Sequence, residues 1–154
     1  MADMVSFAKA QLDQSGLAQE IGKALRATVF SSGMNIAPRR VQVIADQMTE
    51  RFFAFRNDGN EQAALDYGQT LADEGLGVPS VLVMTEQIRQ AAYAAAGSEA
   101  ALLKAAAGFC NRVIEGFIRQ HESGLLQQQE RAHRAYLAAL DSGSVFPRRA
   151  EPLA

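Results

Sequence analysis

The chain has 154 residues, 48% of them apolar, and a formal net charge of -2. That length suits one domain burying roughly 68–70% of its unfolded surface. The lack of Trp, the 4 Pro and the scarcity of β-branched residues favour helix over sheet. Charges are interspersed, with no basic block longer than Arg39-Arg40 or Arg148-Arg149, so phosphate neutralisation has little to work with and no nucleic-acid partner is expected.

MADMVSFAKAQLDQSG at the start has early acid and no continuous apolar run, unlike a signal peptide. No stretch approaches the ~20 apolar residues that span a bilayer, so no membrane partner is expected. A single cysteine, Cys110, excludes an intramolecular disulfide and a multi-cysteine zinc site. These features together predict a cytoplasmic protein.

Apolar spacing is helical almost throughout. Leu17, Ile21, Leu25 and Val29 recur every four residues, after a weaker prelude of Val5, Ala8 and Leu12 that ends at Gly16. SSGMN breaks the pattern; Asn35 is the expected N-cap of the next helix, with Pro38 in its first turn. That helix carries Val41, Ile44, Met48, Phe52 and Phe55 and ends at RNDGN. Asp58 and Glu61 have capping-box spacing and are expected to open a third helix, striped by Leu65, Gly68, Leu71 and Ala72.

Gly75 is the expected left-handed stop, with Leu76 closing a Schellman contact. Pro79 restarts the chain as a fourth helix with Val81, Met84, Ile88, Ala91 and Ala95, and Gly97-Ser98 is the next stop and cap. From there to Leu140 nothing forbids helix, although Gly108, Gly116, Ser123 and Gly124 weaken it. The reading is an all-α bundle of about five helices with a long C-terminal helix. Residues 1–141 form one domain and 142–154 a loose C-terminal tail. The predicted core includes Leu25, Val41, Met48, Phe52, Leu71, Ile88, Phe109, Val113 and Phe117.

No catalytic, cofactor or metal constellation emerges, and neither catalysis nor a cofactor is expected. Glu130 and His133 have Glu-x-x-His spacing, but a di-iron bundle needs that pair twice, and the residue three before His121 is Ile118. His121 as an axial haem ligand is a lone histidine among aromatics, more readily an edge residue. Ser123 lies two residues from His121, which points the side chains apart on a helix. Gly108, Gly116 and Gly124 are eight apart, a step that rotates roughly 80°, so separate close helix crossings or a kink at Ser123-Gly124 explain them better than a shared face.

Two surfaces remain. Leu126, Gln129, His133, Tyr136 and Leu140 alternate in steps of three and four, a coiled-coil seam with polar entries. It predicts either a homodimer or partner interface, or a terminal helix folded back on the bundle through Tyr136, Leu137 and Leu140. Tyr67, Tyr93, Phe109, Cys110 and Phe117 are a candidate pocket for a small apolar ligand, a tetrapyrrole or lipid, in a sensor or carrier.

The run RFFAFRNDGNEQAALDYGQTLADEGLGVPSVLVMTEQIRQAAYAAA resembles the N-terminal helical domains of Rsb-type stress regulators, the RsbU phosphatase and the RsbR-type RsbT co-antagonists. The shared features are Phe52-Phe53, the polar turn Asn57 to Asn60, Tyr67-Gly68 and Ala72 to Leu76. EGFIRQHESGLLQQQERAHRAYLAAL looks like the exit helix that joins such a domain to an output module. The resemblance covers most of residues 40–140. It implies a non-enzymatic sensory or dimerisation domain in a partner-switching stress pathway, a homodimer whose partner is a serine-kinase or anti-sigma-type switch protein. The family's exit helix leads to an output domain whereas this sequence stops at Ala154, so a fragment and a stand-alone module both stay open.

Overall fold

A computed structural model describes residues 12–96 and 99–142. Among them there are five helices and no strand: α1 (Gln14–Ser32), α2 (Pro38–Asp58), α3 (Glu61–Asp73), α4 (Val78–Ala96) and α5 (Ala100–Ser142). The all-helical class and the long last helix are as the periodicity predicts. All nine predicted core residues are buried, and Leu17, Ile21, Ile44, Ala45, Val81, Met84, Leu102 and Cys110 join them. Packing comes from matched stripes: α1 sits against both α2 and α4, and α2 also meets α3.

Three boundaries differ from the expected ones. Gly16 lies inside α1, which begins after Asp13, so the first break comes earlier than predicted; Val5 and Ala8 lie outside the described residues. Ala37, not Asn35, is the N-cap of α2, and it offers no side-chain bond; Pro38 alone sets the start by fixing φ where no N–H is needed. The capping box is not formed either. Asp58 still belongs to α2, and Asn60 caps α3 by accepting from the Ala63 N–H at 3.1 Å, while Asp58 accepts from the Asn60 N–H at 2.9 Å. The polar turn contained three possible caps, and the left-handed Gly59 (φ 63°) passes the role to the residue after it.

Gly75 adopts the left-handed conformation expected of it (φ 87°), donates its N–H to Ala72 O at 3.1 Å, and leaves Leu76 buried behind the turn. The Gly97-Ser98 stop lies outside the described residues.

The α3–α5 crossing depends on two glycines. A Cβ on Gly68 would overlap the Val113 carbonyl oxygen and lie 2.8 Å from Phe117 N; one on Gly116 would overlap the Leu65 carbonyl oxygen. Backbone therefore touches backbone here, and the expected close crossing is realised at Gly116. Gly108 is different, with only the Phe55 ring at 3.5 Å, and Gly124 has nothing within 4 Å. Arg112 reaches Glu61 at 3.5 Å and Gln120 donates to Asp73 at 3.1 Å, which pins both ends of α3 to α5.

The described residues fall into two compact units that divide between Gln120 and His121. The reason lies in the sequence of α5. Its buried face runs from Leu102 through Phe109, Val113 and Phe117, and no described residue after Gln120 is fully buried. The helix runs on to Ser142, and the rest of the tail predicted over 142–154 lies outside the described residues.

Candidate interaction surface

In the second unit the five seam residues Leu126, Gln129, His133, Tyr136 and Leu140 are all exposed. Leu125, Leu126, Tyr136, Leu137 and Leu140 retain between 37% and 59% of their accessible surface. The position of these residues around the helix decides what they can do. At 100° per residue, Leu126, His133, Leu140, Gln129 and Tyr136 fall within about 80° of arc. Leu137 lies about 20° beyond one edge and Leu125 about 20° beyond the other, widening the stripe to about 120°. That matches the width of an apolar stripe that packs on a neighbour. Leu125 and Leu137 lie outside the three-four spacing of the seam, so the apolar stripe is wider than the seam alone.

The flanks of the stripe are unlike. Glu130, Arg134 and Asp141 line the side next to Leu137, with Arg134 reaching Glu130 at 3.5 Å. Ala132 and Ala139 follow Leu125 on the other side. Small residues there let a second helix approach closely, while the charged side stays solvated. The Glu130–Arg134 pair is largely exposed on both partners and contributes only tenths of a kcal/mol, about 0.3–0.5.

The five residues expected to line a ligand pocket differ in exposure. Tyr93 is 73% exposed, while Tyr67, Phe109, Cys110 and Phe117 are buried core. Tyr67 donates its hydroxyl to Ile44 O at 3.4 Å beneath the Arg51 guanidinium, 5.7 Å from the ring centre. Burial raises its phenol pKa well above the ordinary range. Phe109 stacks obliquely on Phe52 and Phe55, with ring centres 5.5 and 5.7 Å away. The Cys110 thiol donates to Thr85 O at 3.4 Å, and burial pushes its pKa up to about 12, which leaves it a protonated packing group at neutral pH.

Glu130 and His133 are both exposed, and His121 is half-buried. Among the described residues no three His, Cys, Asp or Glu side chains gather where they could hold a metal ion, and no helix is long and apolar enough to cross a membrane. Within the bundle Arg40 grips Glu74 through two nitrogens, one of them Nε at 2.9 Å. It ties the first turn of α2 to the end of α3, and the Glu74 hydrogen bond raises the Arg40 pKa further. No family model, curated protein or solved structure matches this chain.

Proposed function

We propose that this protein is a non-enzymatic regulatory domain that self-associates through the second half of α5 and passes a signal to a protein partner. One observation carries the reading: an apolar stripe of about 120° on a regular helix, open to solvent from Leu125 to Leu140. Contiguous apolar surface of that kind marks an interaction site more often than chance exposure does. A second copy of the same stripe is its natural cover, because a two-fold contact uses each residue twice. Polar seam residues such as Gln129 and His133 set register at a cost in stability, which suits a contact that has to shift. The resemblance to Rsb-type domains supports the same reading and suggests the partner class, a serine-kinase or anti-sigma-type switch protein of a stress pathway.

Light scattering over a concentration series tests the contact. Leu126 and Leu140 are 59% and 37% exposed, so roughly half of each side chain remains to be buried. Full burial of a Leu contributes roughly 1.5–3 kcal/mol. Leu126→Ala with Leu140→Ala, counted on both copies, therefore removes about 3 kcal/mol. The dimer dissociation constant should rise about a hundredfold or more, with the helicity of the bundle retained. A monomeric wild type ends the proposal; an unchanged dimer in the double variant removes α5 from the interface.

A further inference from the structure

The corner where α1 gives way to α2 holds a recess of about 560 Å³. Val29, Phe30, Met34, Ile36 and Val41 form its apolar walls, and Arg26 is the one charged residue that lines it. A larger groove of about 670 Å³ between the same helices is lined by polar side chains and by Asp46 and Glu50, with no large apolar residue. The corner recess differs in chemistry: apolar on its walls, cationic at one edge.

Its shape is set by the backbone. Gly33 takes the left-handed conformation (φ 67°), and Met34 N–H closes back on Val29 O at 3.2 Å. That turn brings Met34 and Ile36 back against the end of α1, and Pro38 then fixes the first turn of α2. Phe30 is 89% exposed, more than any other large apolar side chain described. Arg26 donates from Nη1 to the neutral Gln42 Oε1 at 3.1 Å, and it meets no carboxylate among the described residues. An exposed cation in no direct ion pair, linked only through Gln42 to Asp46, therefore borders an open apolar wall.

We propose that this recess binds a small amphiphilic anion, an aliphatic carboxylate. Its chain lies along Val29, Met34, Ile36 and Val41 under the Phe30 ring, and its head group is held by the Arg26 guanidinium. The volume falls within the range of small-molecule sites, which combine apolar walls with a few placed polar groups. A guanidinium matches a carboxylate in geometry and charge, and an amide acceptor such as Gln42 is easily displaced from it. Arg26 favours an anionic head group over a neutral one, and no acidic residue among those lining the recess opposes it. The site lies wholly within the first compact unit and uses none of the residues of the self-association proposal, so either can fail alone.

Decanoate, with decanol as its uncharged counterpart, tests the assignment by calorimetry and methyl-resolved NMR on the full chain. Decanoate should bind saturably, with shifts concentrated at the Val29, Met34, Ile36 and Val41 methyls. Arg26→Gln should weaken decanoate by about tenfold or more and leave decanol unchanged. Ile36→Asp, which sets a carboxylate in a half-buried wall, should abolish decanoate binding while the circular dichroism spectrum holds. Absence of saturable shifts at those methyls overturns the site, and equal decanoate affinity in Arg26→Gln overturns the role of the charge. If Phe30→Ala converts a self-associated protein to monomer, a second copy fills the recess and the ligand assignment is wrong.

Discussion

Gly116→Ala should destabilise the bundle by about 2 kcal/mol, while the same change at Gly108 should stabilise it. Alanine in a helix interior is favoured over glycine by about 0.8–1.0 kcal/mol, so any loss must come from contact. At Gly116 the new Cβ overlaps the Leu65 carbonyl oxygen and lies 2.9 Å from its carbon and 3.1 Å from Leu65 Cα. These are backbone atoms of α3 and cannot rotate away, so the helices must separate. Overpacking costs typically 1–3 kcal/mol, and a backbone overlap belongs at the top of that range; about 3 less the helix gain leaves about 2. For a chain of this length each kcal/mol moves Tm by about 2–4 °C, so Gly116→Ala should melt roughly 4–8 °C lower. Gly68→Ala should behave alike, since its Cβ meets Val113 and Phe117 backbone. At Gly108 the nearest atoms are in the Phe55 ring at 3.5 Å, ordinary contact, and the helix gain survives. Thermal and urea unfolding followed by circular dichroism decide it. A Gly116→Ala protein as stable as wild type would refute the backbone-contact account of this crossing.

Two further outcomes are expected. Asn60→Ala should cost about 1 kcal/mol, because it frees the Ala63 N–H that the Asn60 side chain caps; Glu61→Ala should cost less, about 0.2–1 kcal/mol for the exposed pair with Arg112, and the reverse order of the two urea midpoints would restore the Asp58–Glu61 capping box. The Cys110 thiol is raised from 9.0 to about 12 by burial, so the folded state holds its proton more tightly than the unfolded state does. That contribution is complete below about pH 9 and is lost as pH rises toward 12, at up to about 1.4 kcal/mol per pH unit. Cys110→Ala removes the dependence, so the stability gap between wild type and variant should narrow from pH 8 to pH 10, with Tyr67 affecting both alike; a constant gap would refute the linkage.

Much of this was legible because helix periodicity reports burial directly. The stripes through Leu25, Met48, Ile88 and Val113 could be read from spacing alone, and every residue of the predicted core is buried. Capping was less legible: RNDGN offers Asn57, Asp58 and Asn60, and only the backbone turn at Gly59 decides among them. The surroundings of the expected pocket residues were illegible for a different reason. Tyr67 on α3 and Phe109 and Phe117 on α5 face the core, but whether a core leaves a void depends on side-chain fit, and Tyr93 on α4 is exposed. Phe30 did carry a signal, since it follows Val29 and so stands about 100° off the buried stripe of α1. Nothing in spacing reveals that Gly33 then folds Met34 and Ile36 into walls beside it.

The second half of α5 poses a stability question of its own, and its answer is measurable. A free helix must nucleate at a cost equivalent to σ of about 10⁻³, which makes short helices marginal in water. Residues after Gln120 avoid that step, because they extend a helix already fixed by Phe109, Val113 and Phe117. Extension adds one hydrogen bond per residue ordered, with s near 1–1.6 for good formers, so each turn gains at most about 1 kcal/mol and opens readily. With no burial to add, amide protons from Leu125 to Leu140 should exchange quickly in dilute protein. Pairing of two stripes changes this, since opening then requires the apolar contact to be lost first. Protection of Leu126, His133 and Leu140 should therefore rise with protein concentration, while that of Ile88 and Val113 stays constant. The Leu126→Ala, Leu140→Ala double variant should exchange quickly at every concentration. If its amides between Leu125 and Leu140 are instead as protected as Val113, the chain itself covers this helix, and the stripe is not a surface for a second copy.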